Sequence, residues 1–217
     1  MRNRFELQLE ILNEKMIHMG ELCSIAIEKA TEALRNADHE QAGAVIEADH
    51  EVDQMEKDIE QLCLKLLLQQ QPVARDLRQI SAALKMITDM ERIGDQTADI
   101  AEIIISANMT EKHERKLISK MSEAVSAMVR DSVKAYVDKD LFLAQKVMEA
   151  DSFVDDMFEE IKVVIINAIA DTRGNDGKNW IDLMMITKYL ERIGDHATNI
   201  AEWVEFSITG VHKDSQA

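Results

Sequence analysis

Apolar residues recur along this chain in alternating steps of three and four. Between residues 39 and 70 the series is Val45, Ala48, Val52, Met55, Ile59, Leu62 and Leu66. About a hundred residues later it returns as Val147, Ala150, Val154, Met157, Ile161 and Val164. These steps put one apolar stripe along a helix and make the seam of helices that cross at a shallow angle. A third row, Leu77, Ile80, Leu84, Ile87, Glu91, Gly94, Ala98 and Ala101, keeps the rhythm but places a carboxylate in the seam.

Punctuation between the stripes predicts six helices, at about 3–36, 39–70, 73–108, 111–137, 141–171 and 179–209. Asp38, Thr110 and Asp140 are residue types that cap helix starts. Pro72 suits the first turn of a new helix and would break an existing one. The run 172–178, with two glycines, is the clearest loop. Rods of roughly 30 residues are about 45 Å long, and three joined by short loops make an antiparallel three-helix bundle.

The chain also repeats itself. Residues 91–102 (ERIGDQTADIAE) and 191–202 (ERIGDHATNIAE) agree at eight of twelve positions. Residues 47–60 and 149–162 agree at seven of fourteen. The offsets of 100 and 102 point to duplication of one unit. The expected fold is therefore all-α: two tandem antiparallel three-helix bundles, residues 1–108 and 109–217.

Composition removes several function classes. One Pro, seven Gly and 4% aromatics among 217 residues disfavour a β-sandwich or barrel. Lys and Arg number 25 against 41 Asp and Glu, a net charge of −16, and no basic cluster stands out. Nucleic acid is not an expected partner. Cys23 and Cys63 fit no zinc spacing and read as buried free thiols of a reducing compartment. The opening MRNRFELQLE has no apolar core of a signal peptide, and no run is long enough to span a membrane. A cytoplasmic location is expected, with membrane association only indirect, through partners.

The candidate chemistry lies in acids spaced four apart: Asp49 and Asp53, Glu91 and Asp95, Asp151 and Asp155, Glu191 and Asp195. Each pair shares one helix face, where like charges repel by a few tenths of a kcal/mol unless a cation lies between them. The plainer reading of Asp49 and Asp53 is solvent-facing acid. Glu91 is harder to dismiss, because a seam carboxylate needs a partner or a metal. An arginine is the rival partner; Arg92 is expected to point elsewhere on the helix, which leaves Arg75 and Arg78. Gly94 costs a helix about 1 kcal/mol and implies a close approach. Oxygen donors without Cys or paired His suit Mg²⁺, Mn²⁺, Ca²⁺ or iron.

The duplicated ERIGD, with Gln71-Pro72-Val73-Ala74-Arg75-Asp76-Leu77-Arg78 upstream of the first copy, resembles the PhoU family of phosphate-transport regulators. The resemblance covers about residues 5–210 and implies that the two bundles are related by a pseudo-twofold axis. It implies metal sites on the bundle surface, often iron or zinc, held by Glu/Asp-x-x-x-Asp motifs. Carried over, the first site is Asp49, Asp53, Glu91, Asp95 and Asp99, and the second is Asp151, Asp155, Glu191 and Asp195. The copies differ, since Asn199 stands opposite Asp99 and Phe158 opposite Glu56. The first site is thus expected to be more anionic and to hold its cation more tightly. The resemblance further implies a negative regulator, not an enzyme. Its implied partners are the phosphate ABC transporter, through its ATPase component, a phosphate-sensing histidine kinase, and a second copy in a homodimer.

Two other functions remain open at this point. A ferritin-like di-metal oxidase needs Glu-x-x-His on two helices. Glu47 and His50 supply one, but Ser152 replaces the histidine in the repeat, and His196 is matched by Gln96. A metal-free helical adaptor treats every acid as surface charge. Ser, His and Asp are scattered, with no nucleophile elbow or phosphate-cradling loop.

Overall fold

The computed structural model describes residues 2–70, 72–107, 112–174 and 177–211. Among them are six helices: α1 (Arg2–Asn36), α2 (His39–Gln70), α3 (Ala74–Ser106), α4 (Lys112–Asp138), α5 (Leu141–Asp171) and α6 (Gly177–Thr209). Helices α1, α2 and α3 pack on one another as one three-helix unit, and α4, α5 and α6 as the second. Across the units α3 packs along α6 and α1 along α4, and one continuous core runs through all six.

The α1–α2 and α4–α5 connections are built alike. Ala37 (φ 53°) and Lys139 (φ 54°) turn the chain through the left-handed region. The next residue's N–H then closes each helix end: Asp38 donates to the Ala33 carbonyl and Asp140 to the Ala135 carbonyl, both at 2.9 Å. This is the closure that satisfies a helix's last carbonyls. Asp38 Oδ1 accepts from the Gln41 N–H and Asp140 Oδ1 from the Leu143 N–H, each at 3.0 Å, so both expected caps are present. Thr110 lies outside the described residues. Pro72 is not in a first turn: α3 begins at Ala74, with extended Val73 as its cap, so the proline precedes the helix. That backbone suits the residue preceding a helix, and Pro72 there blocks any continuation of α2.

The stripes on α2 and α5 are buried where expected, at Val45, Val52, Ile59, Leu66, Val147, Val154 and Ile161. The third row needs correction. Leu77 is 46% exposed, and the buried line of α3 runs through Ile80, Ala83, Ile87, Met90, Ile93, Gly94, Thr97 and Ala101. Because α3 touches α1, α2 and α6, it buries a wide face, and a single heptad row captures only its margin. Glu91 lies at that margin with 20% of its side chain exposed.

The α3–α6 seam shows the internal symmetry in its side chains. Gln96 Nε2 lies 3.2 Å from its repeat counterpart, His196 Nε2. Asp89 Oδ1 meets His196 Nδ1 at 2.8 Å and accepts from Asn199 Nδ2 at 3.2 Å. The symmetry-related pairing sets Tyr189 beside Asp99; burial, then Asp99, raises the Tyr189 phenol above its ordinary value.

Candidate metal centre

Each Asp-x-x-x-Asp pair stands on one face of a long helix because four residues make about one turn. Helix α2 lies alongside α3, so the Asp49–Asp53 face meets the Glu91–Asp95 face. One carboxylate oxygen from each of Asp49, Asp53 and Asp95 falls within 4.8 Å of the other two. Among the described residues this is the group of three acids that converges so closely; Asp151, Asp155 and Asp195 do not. All three are half-buried.

Asp49 is the member pressed deepest. Its Oδ1 is buried without a hydrogen-bond partner. It rests on the backbone of α3 at Gly94, where an added Cβ would come within 2.6 Å of that oxygen. The glycine of the first ERIGD is therefore what admits the α2 carboxylate. An orphaned, buried carboxylate oxygen facing two further acids is a poor arrangement for an isolated chain and a suitable one for a bound cation. Burial, then Asp53 and Asp95, push the Asp49 carboxyl up to about 6. Burial and Asp95 raise Glu91, and burial and Glu60 raise Glu56. Beneath the site, burial and then Asp49 push the free Cys23 thiol up to about 12.

Glu91 stands apart from the trio, paired with Arg92 Nε at 3.4 Å. Arg92 Nη1 also reaches Asp95 Oδ2 at 2.9 Å. Arg92 therefore does not point elsewhere; its long stem carries the guanidinium back over its neighbours. Arg75 and Arg78, the expected rivals, line a separate cavity. Asp99 sits one turn further along α3, beside Tyr189 and within electrostatic reach of Asp49.

The second half has the same skeleton and different charge. Asp151 Oδ1 is again buried and unpartnered, and burial with Asp155 raises that carboxyl. Burial with Glu191 raises Asp195. But Lys188 pairs with Glu191, and both Lys188 and Lys162 lie over the Phe158 ring, at 5.3 and 5.5 Å from its centroid. The first half has Thr88, Glu60 and Glu56 at these positions. Two lysines thus occupy the side of the second site that is acidic in the first. The repeat alignment carries this signal, at offsets 100 and 102: Lys162 is the mismatched last position of the 149–162 segment, and Lys188 lies three residues before the second ERIGD.

The Asp49 shift sets a pH dependence for the metal-free protein. An acid whose folded pKa exceeds its unfolded value binds more protons when folded, so stability falls as pH rises through that window. Between about pH 4 and pH 6, Asp49 makes the chelator-treated protein more stable on acidification. A cation needs the ionised carboxylates and reverses the trend. Melting temperatures at pH 5 and 7 with chelator check this: Asp49→Asn is expected to shrink the gain on acidification, the share of the raised Glu56, Glu91, Asp151 and Asp195 remaining, and an unchanged pH profile in that variant would count against it.

The comparisons with known proteins bear on the family and the fold. The PhoU domain family model matches residues 16–104 and again 118–204. A phosphate-specific transport system accessory protein PhoU homolog of Clostridium acetobutylicum is 36% identical over 98% of both chains. The Aquifex aeolicus homolog is 38% identical over 85% of this chain and 84% of its own. The crystal structure of PhoU from Pseudomonas aeruginosa superposes with a TM-score of 0.87 at 30% identity, covering 95% of this chain and all of that one. The phosphate transport system regulatory protein PhoU from Streptococcus pneumoniae gives a TM-score of 0.88 at 27% identity over 95% and 98% of the two chains. With two matches to the family model, full-length relatives above 30% identity and the shared six-helix fold, this chain belongs to the PhoU family.

Proposed function

We propose that this protein is an accessory regulator of a phosphate-specific transport system, and that its first half holds a hard metal cation at Asp49, Asp53 and Asp95. The convergence of those three carboxylates around an orphaned Asp49 oxygen carries the metal reading. Glu91, Asp99 and Glu56 surround the trio and add negative field. A bound di- or trivalent ion would cancel the repulsion and tie α2 to α3. Oxygen donors suit Mg²⁺, Mn²⁺, Ca²⁺ or iron; zinc also takes carboxylate oxygens.

Asp151, Asp155, Glu191 and Asp195 form a second, weaker site in this proposal. There the Lys188–Glu191 pair favours the metal-free reading, because it adds positive charge beyond the arginine that both ERIGD copies carry, Arg92 in the first half and Arg192 in the second. The units divide near residue 108, within a stretch outside the described residues.

The regulatory reading rests on the family and on the names of its members. The proposed partners are the ATPase component of a phosphate ABC transporter, a phosphate-sensing histidine kinase and a second copy of this chain. No helix among the described residues is long and apolar enough to cross a membrane, so contact with a transporter would run through its peripheral subunit. Co-purification of tagged protein with the cognate transporter ATPase tests this. Specific recovery of the ATPase is the expected result, and its absence with both metal-loaded and chelator-treated protein would overturn the proposal.

A further inference from the structure

Three cationic side chains from two distant parts of the chain line one cavity of about 270 Å³: Arg75 and Arg78 at the start of α3, and Lys139 after α4. It lies where α3 begins, α4 ends and α6 finishes, with Tyr136 and Ser207 in its wall. No acidic residue lines it, although the chain carries 41. Among the described residues, none of the three cations has a carboxylate within 4.0 Å. Like charges gathered without counter-charge, in a protein of net charge −16, are an arrangement that an anion would relieve.

The positions are unusual in other ways. Arg75 and Arg78 occupy the first two turns of α3, where the helix dipole disfavours cations. Arg78 Nε is buried with no hydrogen-bond partner. Its guanidinium stem is held against the backbone at Gly210, where an added Cβ would lie 3.5 Å from Arg78 Cδ and Nε. Lys139 is presented by the left-handed turn between α4 and α5; the matching turn of the first half carries uncharged Ala37. Buried Tyr136 donates from its hydroxyl to the Gln79 carbonyl at 3.1 Å and fixes the floor of the cavity.

We propose that this cavity binds a small tetrahedral oxyanion, inorganic phosphate or the phosphate of a soluble monoester. A planar guanidinium matches two oxygens of such a group, and a lysine adds a point charge. The volume sits at the lower end of the small-ligand range, too small for a folded partner. The site shares no residue with the metal centre, so either can fail without the other.

The test uses the full chain, freed of metal with a chelator that is then removed. Inorganic phosphate and glycerol phosphate are titrated by calorimetry and followed by phosphorus NMR line broadening. Saturable one-to-one binding is expected. Arg78→Gln and Arg75→Gln each weaken it about tenfold or more, since each removes a charged hydrogen-bond donor. Asp49→Asn leaves it unchanged. If Arg78→Gln unfolds, exposed Lys139→Ala carries the same expectation. Absence of saturable binding up to about 10 mM, or equal binding by the Arg75→Gln/Arg78→Gln double variant, would overturn the proposal. So would binding confined to phosphatidic acid vesicles, which would assign the cations to a lipid surface.

Discussion

Asp95→Asn is expected to lower the cation affinity of the first half by roughly a hundredfold, while Asp195→Asn leaves that affinity unchanged. Losing a group behind a ligand costs about 10–100-fold, so losing a converging oxygen donor belongs at the upper end. Asp95 is one of the three acids whose oxygens meet, and it spans the gap between α3 and α2. Stability carries the second half of this expectation. A cation at about 100 times its Kd stabilises the folded state by about 2.7 kcal/mol. In a chain of this size that amounts to a rise in Tm of roughly 5–10 °C. Asp95→Asn should abolish most of the rise yet change the chelator-treated protein by less than about 1 kcal/mol, because losing the exposed Arg92–Asp95 pair offsets the relief of Asp49. Thermal melts with and without added Mn²⁺ separate the two effects. Equal losses in Asp95→Asn and Asp195→Asn would mean that Lys188 and Lys162 do not distinguish the halves.

Gly94→Ala and Gly194→Ala should differ although they alter the same motif. Alanine favours a helix interior by about 1 kcal/mol, which taken alone stabilises both variants. At Gly194 the new methyl would sit 3.3 Å from Val154 Cγ1 and 3.8 Å from Asp151 Oδ1, contacts that small shifts accommodate. At Gly94 it would sit 3.2 Å from Val52 Cγ1 and 2.6 Å from Asp49 Oδ1, so the carboxylate must swing away. Cation affinity should fall about tenfold or more in Gly94→Ala, since a displacement of an ångström at a coordinating group is costly. It should hold in Gly194→Ala. Calorimetric titration of both variants checks the difference, and wild-type affinity in Gly94→Ala would show that Asp49 is not held against α3 as a donor.

The helices were legible because their signals are local. Asp38 and Asp140 cap as their residue type dictates, and the stripes on α2 and α5 bury the residues that the three-four rhythm selects. The pairing of acids was legible too, since spacing by four determines which side chains share a face. Less was legible where three helices meet. Glu91 read as a core residue because one heptad row cannot describe α3, whose buried face is wide. Arg92 was misread because helical position locates a Cβ, while a long stem can bend its guanidinium back over Glu91 and Asp95. The seam contacts of Asp89 and Tyr189 with α6 and α3 join residues a hundred positions apart, and the basic cavity joins Arg75 to Lys139. Neither is written in any contiguous run of sequence.

An anomalous-scattering difference map from crystals of the protein loaded with Mn²⁺ tests the cation site most directly. The expected result is a strong peak between α2 and α3, at coordination distance from Asp49, Asp53 and Asp95, and a weaker peak or none at Asp151 and Asp195. A map with no peak among the first three carboxylates, or with its stronger peak in the second half, would contradict it.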